Sequence, residues 1–225
     1  MALIELKDIE FNYSDKELYK SVNLKINEGE HAVLVGVNGS GKTTILNLLA
    51  GKIKPDKGQV IWTPKTTYSY LDQKLEVNQD MITIDFIYEI FQNLFEKEKQ
   101  MESLYEKSSY DFENFEPFLE KAQRLQDQLD RAGFYSIKET VLKLVKGLGL
   151  ADDRLNIPLS KLSSGQREKV YLIKMLLEQK DVLLMDEPTN YLDAAQVDWL
   201  SSYLINYPKS FLVVSHDQEF LRKIA

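Results

Sequence analysis

Gly36-Val37-Asn38-Gly39-Ser40-Gly41-Lys42-Thr43-Thr44 is the stretch on which the reading of this chain turns. Its spacing, a glycine, four residues and then Gly-Lys-Thr, is that of a phosphate-binding loop. Gly36, Gly39 and Gly41 lack a β-carbon. The backbone can therefore turn tightly and aim successive N–H groups at one anion before entering a helix whose N-terminus favours negative charge. Such a cradle suits a triphosphate. Lys42 can reach the outer phosphates, and the Thr43 hydroxyl, one residue on, can ligate Mg²⁺.

The flanks decide whether such a loop is real. Ala32-Val33-Leu34-Val35 is the short apolar run of a buried strand. Ile45, Leu46, Leu48 and Leu49 then place apolar residues at helical spacing until Gly51 halts the helix. Two further apolar runs repeat the pattern. Val182-Leu183-Leu184-Met185 ends in Asp186, Glu187 and Pro188, and Phe211-Leu212-Val213-Val214 ends in Ser215-His216-Asp217. In a doubly wound sheet, ligands bind at the carboxyl ends of parallel strands. Lys42 with its loop, Asp186 with Glu187, and His216 are therefore expected to converge on one triphosphate. Asp186 would hold Mg²⁺ and its waters, leaving Glu187 to accept a proton from an attacking water. A lone histidine is commonly a bystander, and His216 gains interest only from its place at a third strand end.

The remaining chain supplies scaffolding. Leu3–Lys7 and Leu24–Ile26 alternate as short strands of an antiparallel flap. Tyr13 reads equally as a half-buried strand aromatic or as a stacking platform for a base. Gln59–Trp62 and Thr67–Leu71 follow as strands, with Gln73 closing the second. From Ile82 to about Leu150 the composition turns to helix formers, predicting helices over 84–105 and 115–131, the latter with Phe118, Leu119, Ala122, Leu125 and Leu129 on one face. Residues 96–146 carry eleven acidic and nine basic side chains, a solvated helical segment without a basic stripe. Leu159 to Arg167 is a polar turn opening a helix whose Val170, Ile173, Leu176 and Leu177 share a side. Ser163 or Ser164 could cap that helix, or its N-terminus could form a second anion site.

At 225 residues and 44% hydrophobic content the chain can build a sizeable core. It has no cysteine, which excludes disulfides and thiolate metal sites and suits a reducing cytoplasm. No apolar run approaches the roughly 18 residues of a membrane span. The formal net charge of −7 weighs against bulk nucleic-acid binding.

Taken together, these residues resemble an ATP-binding cassette (ABC) ATPase domain over nearly the whole chain. The resemblance implies an α/β P-loop NTPase fold, with a mostly parallel core sheet, an antiparallel β flap and an inserted helical subdomain. It places the flap and core at about 1–81 and 181–225 and the helical part, including an arm and the signature helix, at about 82–180. It implies that Tyr13 stacks on adenine, that Gly36, Asn38, Gly39, Ser40, Gly41, Lys42, Thr43 and Thr44 bind ATP, and that Gln73 serves the Mg²⁺ and the reaction. Leu162–Gln166 matches a signature loop of the Leu-Ser-Gly-Gly-Gln type, so Ser163, Gly165 and Gln166 are carried over as ATP-binding, as is the turn aspartate Asp193. His216 is carried over as the switch histidine. Ser164 departs from the pattern, standing where the signature has its first glycine, which bears on the contact to the γ-phosphate.

Two such domains close head to tail in this family, so a second cassette is an implied partner. Glu187-Pro188-Thr189-Asn190-Tyr191-Leu192-Asp193 is similar to the run of the soluble ABC-F proteins, which carry two cassettes and act on the ribosome and its RNA. The ninety positions from Gln73 to Ser163 fit an ABC-F arm. The expectation is the N-terminal cassette of a longer ABC-F translation factor or ribosome-protection protein. The alternative is the ATP-binding subunit of a transporter, partnered by separate membrane subunits.

Overall fold

The computed structural model describes residues 1–13, 16–71, 78–111 and 113–225. Two long strands open the chain, β1 (Ala2–Tyr13) and β2 (Lys16–Asn27), followed by β3 (His31–Leu34), α1 (Lys42–Leu49), β4 (Lys57–Trp62) and β5 (Tyr68–Leu71). A helical stretch holds α2 (Thr83–Tyr88), α3 (Gln92–Ser108), α4 (Phe115–Arg131) and α5 (Ile137–Gly147). The chain continues through α6 (Ser164–Leu177), β6 (Val182–Asp186), α7 (Ala194–Ile205), β7 (Ser210–Val214) and α8 (Gln218–Ile224).

The described residues of Met1–Val77, with Gly147–Gly149 and Ser163–Ala225, pack as one unit. It contains two sheets, an antiparallel one in the order β2-β1-β4 and a parallel one in the order β3-β7-β6-β5. Helix α1 lies in the core they share. Its Ile45, Leu46, Leu48 and Leu49 pack in one cluster with Ile4, Leu6, Ile9 and Ile26 of the antiparallel sheet and with Val182, Leu184, Leu212 and Val214 of the parallel one. A helix buried on more than one side cannot shift without opening both sheets, so the loop at its N-terminus is rigidly mounted. Because β3, β6 and β7 are parallel neighbours, their carboxyl ends lie along one edge.

The flap strands are longer than the alternation suggested. β1 and β2 pair over twelve residues each, with register shifts along the ladder and left-handed backbone at Asp8 (φ 50°) and Ser21 (φ 55°). Bulges of this kind interrupt the period of two that reveals a strand in sequence.

Asn78–Lys146 with Leu150–Leu162 forms the second unit. The helix expected over 84–105 divides into α2 and α3 around a tight turn at Glu89–Phe91. That turn changes the helical phase, so Phe86 and Ile87 bury on α2 while Met101 buries on α3. The helix expected over 115–131 is α4, and Ala122 and Leu129 are its buried residues. The Tyr105 hydroxyl of α3 donates to Gln126 Oε1 of α4 at 2.8 Å. Helix α6 packs with the sheet unit, whereas the resemblance placed residues up to about 180 with the helical part. Its Val170, Ile173, Leu176 and Leu177 are all buried. An apolar stripe records that a surface is covered but not which element covers it.

Candidate functional site

Helix α1 begins at Lys42 with Gly41 as its N-cap, in left-handed backbone at φ 97°. The first helical hydrogen bond runs from the Ile45 N–H to the Gly41 carbonyl at 3.0 Å. The amides of Lys42, Thr43 and Thr44 therefore precede the helical ladder and point out of the helix end. Lys42 is buried, 8% exposed, and its ammonium donates to the carbonyls of Gly36 (2.9 Å) and Val37 (3.1 Å). The loop thus folds around its own lysine. A largely desolvated cation held by carbonyls keeps the loop's field positive, which suits an anion.

Asp186 is the last residue of β6, and Glu187 follows it past the strand end. Glu187 has left-handed backbone at φ 52°, an uncommon state for a residue with a β-carbon. Its N–H donates to the Val214 carbonyl of β7 at 2.8 Å, which holds the turn. Its carboxylate accepts the His216 backbone N–H (3.1 Å) and lies 3.1 Å from His216 Nε2. A carboxylate can only accept, so Nε2 carries the proton in this pair. Ser215 is buried, with its hydroxyl 3.3 Å from that of Thr189 and accepting the Asp217 N–H at 3.1 Å. The turns after β6 and β7 are thereby tied together.

One cleft of about 660 Å³ gathers these parts, lined by Tyr13, Asn38, Gly39, Gly41, Lys42, Thr43, Thr44, Asp186, Glu187 and His216. Gly36 and Ser40 lie in the loop but not on the cleft wall, the Ser40 hydroxyl being close to the space that a Gly36 side chain would fill. Tyr13 is 56% exposed and makes an edge contact with Phe11, leaving ring surface free to stack. Gln73 lies outside the described residues. Leu18 and Val214 also line the cleft, two positions that sequence reading passed over because apolar residues in strands carry no chemical signal.

Thr43 and Asp186 bring a hydroxyl and a carboxylate to the same cleft, hard oxygen donors that fit Mg²⁺. Among the described residues no group of three His, Asp or Glu side chains is arranged to hold a metal ion by itself. That donor set suits an ion that takes most of its ligands from phosphates and water.

The signature residues and Asp193 are not among the residues that line this cleft. Ser163 caps α6, its hydroxyl accepting the Gln166 N–H (3.2 Å) while Gln166 Oε1 accepts the Ser163 N–H (3.0 Å). Asp193 and Gln196 form the same reciprocal box at the start of α7. Lys169 of α6 donates to Gln196 Oε1 at 2.7 Å. Burial lowers the Lys169 pKa, and the nearby Asp193 charge acts against that shift. The Tyr191 ring lies over Gly165, where an added β-carbon would meet it at 3.1 Å.

The protein is 38% identical over its full length to the uncharacterized ABC transporter ATP-binding protein YfmM of Bacillus subtilis, covering 43% of that protein. It is 32% identical, over 98% of this chain, to both the ABC transporter F family member 2 of Arabidopsis thaliana and the energy-dependent translational throttle protein EttA of Mycobacterium tuberculosis. It covers 33% and 39% of those proteins, so the chain spans less than half the length of these relatives. Among solved structures, the ATP-binding subunit of an ABC transporter superposes with a TM-score of 0.70 at 17% identity, over 99% of this chain and 83% of that one. The family model described as ABC transporter matches residues 19–190, and with the phosphate-binding loop and strand-end acids in one cleft, the chain belongs to that family as an ATP-binding cassette.

Proposed function

We propose that this cassette binds Mg·ATP in the cleft and hydrolyses it to ADP and phosphate, closing on a second cassette as it does so. The observation that carries the reading is the convergence of Lys42 and its loop with Asp186, Glu187 and His216 on one wall system. The phosphates lie against the first-turn amides of α1, with Lys42 turning from its loop carbonyls to the outer phosphates. Thr43, Asp186 and Gln73 would hold Mg²⁺, which when bound offsets charge on the phosphates. Tyr13 takes the adenine face. Glu187 accepts a proton from a water that attacks the γ-phosphorus, as the bond to the bridging oxygen breaks and ADP leaves. The proton of His216 Nε2, now shared with Glu187, is available to a γ-phosphate oxygen. Ser163, Gly165, Gln166 and Asp193, which are not among this cleft's lining residues, serve the nucleotide of the second cassette.

We further propose that the protein acts in the cytoplasm as an ABC-F translation factor or ribosome-protection protein. Support comes from the Glu187–Asp193 run, from the paired helices α3 and α4, and from relatives named for the F family and for translation. The transporter-subunit reading draws on the name of the Bacillus relative. The test is to express the native protein carrying Glu187→Gln, add ATP and ask what it sediments with. ATP-dependent sedimentation with ribosomes supports the ABC-F reading. Sedimentation with membranes and a partner subunit overturns it in favour of a transporter motor.

A further inference from the structure

We propose that Tyr19 is a positioning residue for phosphate recognition, acting through the Gly41–Lys42 peptide; the inference rests on the nucleotide reading above. Tyr19 sits on β2 of the flap, and its hydroxyl donates to the Gly41 carbonyl. The same carbonyl accepts the Ile45 N–H at 3.0 Å, so both of its lone pairs are used. A trans peptide is planar, with its C=O and N–H pointing in opposite directions. Holding the Gly41 oxygen between flap and helix therefore fixes the Lys42 N–H on the other side, at the helix end whose Gly41 and Lys42 line the cleft.

Gly41 needs such a hold. At φ 97° it occupies backbone that only glycine enters freely, and a free glycine also visits many other states. Without the tyrosine bond, the phosphate would have to order this peptide as it binds, and ordering subtracts from affinity. Two donors on one carbonyl also polarise the peptide, leaving the Lys42 N–H a better partner for an anion.

The surroundings keep Tyr19 in this role. Its ring packs so closely on Gly41 that an added β-carbon would overlap the hydroxyl and would come to 3.0 Å from Leu18 Cδ2. Burial pushes the phenol's pKa up to about 12, against the opposing influence of the neighbouring Thr44 side chain and Ile45 amide, so it keeps its proton and remains a donor under working conditions. Nothing in the sequence marks Tyr19, because its partner lies twenty-two residues away and is a main-chain atom.

The test is Tyr19→Phe, which keeps the ring on Gly41 and removes only the donor. Affinities for a fluorescent ATP analogue, ADP and inorganic pyrophosphate are measured on protein shown to be folded by circular dichroism. The expected result is binding weaker by about 3- to 10-fold for all three ligands, the worth of one net hydrogen bond. Incorporating 4-aminophenylalanine at position 19, which restores an N–H donor, should restore affinity. A purely structural role predicts a lower melting temperature with unchanged affinity in the folded protein, and that result overturns the proposal. If Tyr19→Phe does not fold, 4-methylphenylalanine supplies the shape without the donor, and wild-type affinity in that variant also overturns it. Failure of the wild-type protein to bind any of the three ligands overturns the nucleotide reading and this inference together.

Discussion

Replacing Glu187 by Gln separates the proton-accepting role from everything else that the side chain does. Among the described residues the carboxylate makes two polar contacts, both to His216: the backbone N–H at 3.1 Å and Nε2 at 3.1 Å. Glutamine can keep the first through its carbonyl oxygen. It can keep the second if the imidazole moves its proton to Nδ1 and accepts from the amide NH₂ through Nε2. Charge-assisted bonds become neutral ones, so the stability cost is about 1 kcal/mol or less. The loss of the base should instead slow turnover by about 10²- to 10⁴-fold, equivalent to a barrier higher by about 2.7–5.4 kcal/mol. Phosphate release under single-turnover conditions reads the chemical step, and titration with a fluorescent ATP analogue reads binding. Turnover within about tenfold of wild type at unchanged affinity, judged against that expected range, would refute the assignment. A large loss of binding would show that the carboxylate anchors the ligand instead.

Two further outcomes are expected. Tyr13→Ala should weaken ATP binding by about tenfold, on the scale of one base–aromatic stack, without changing the affinity for inorganic triphosphate; equal losses for both ligands would place Tyr13 elsewhere than at the base. Asp181 accepts the Thr67 N–H and hydroxyl, each at 2.8 Å, and pairs with Lys209 at 3.1 Å. The Thr67 bonds foremost, then Lys209, hold its pKa down from 3.8 to about 2. A depressed folded-state pKa adds stability that is complete above the unfolded value and is lost as pH falls through the folded one. Urea unfolding should thus find wild type more stable than Asp181→Asn above about pH 4, with the gap closing as pH falls towards 2; a gap that does not change with pH would contradict this.

The chemistry of the site was legible because its parts sit where short apolar runs end. Val33, Leu184 and Val213 mark β3, β6 and β7, and their parallel pairing brings Lys42, Glu187 and His216 to one edge. What stayed hidden depends on contacts that no local pattern records. Tyr19 reaches a main-chain oxygen, and Leu18 reaches the cleft from a flap whose bulges blur its alternation. The break between α2 and α3 falls among good helix formers, where propensity alone predicts continuity. The bonds of Lys42 to the Gly36 and Val37 carbonyls are likewise invisible, since sequence gives the lysine's reach but not its main-chain partners.

The central claim is that the loop at the head of α1 holds the phosphates through Lys42, and the measurement that tests it most directly is the affinity of Lys42→Ala for a fluorescent ATP analogue. Among the described residues the ammonium donates to the Gly36 and Val37 carbonyls, both within its own loop. Removing a charged hydrogen bond to phosphate should weaken binding by about 10- to 100-fold, with the protein still folded. Affinity equal to that of the wild-type protein would contradict the account.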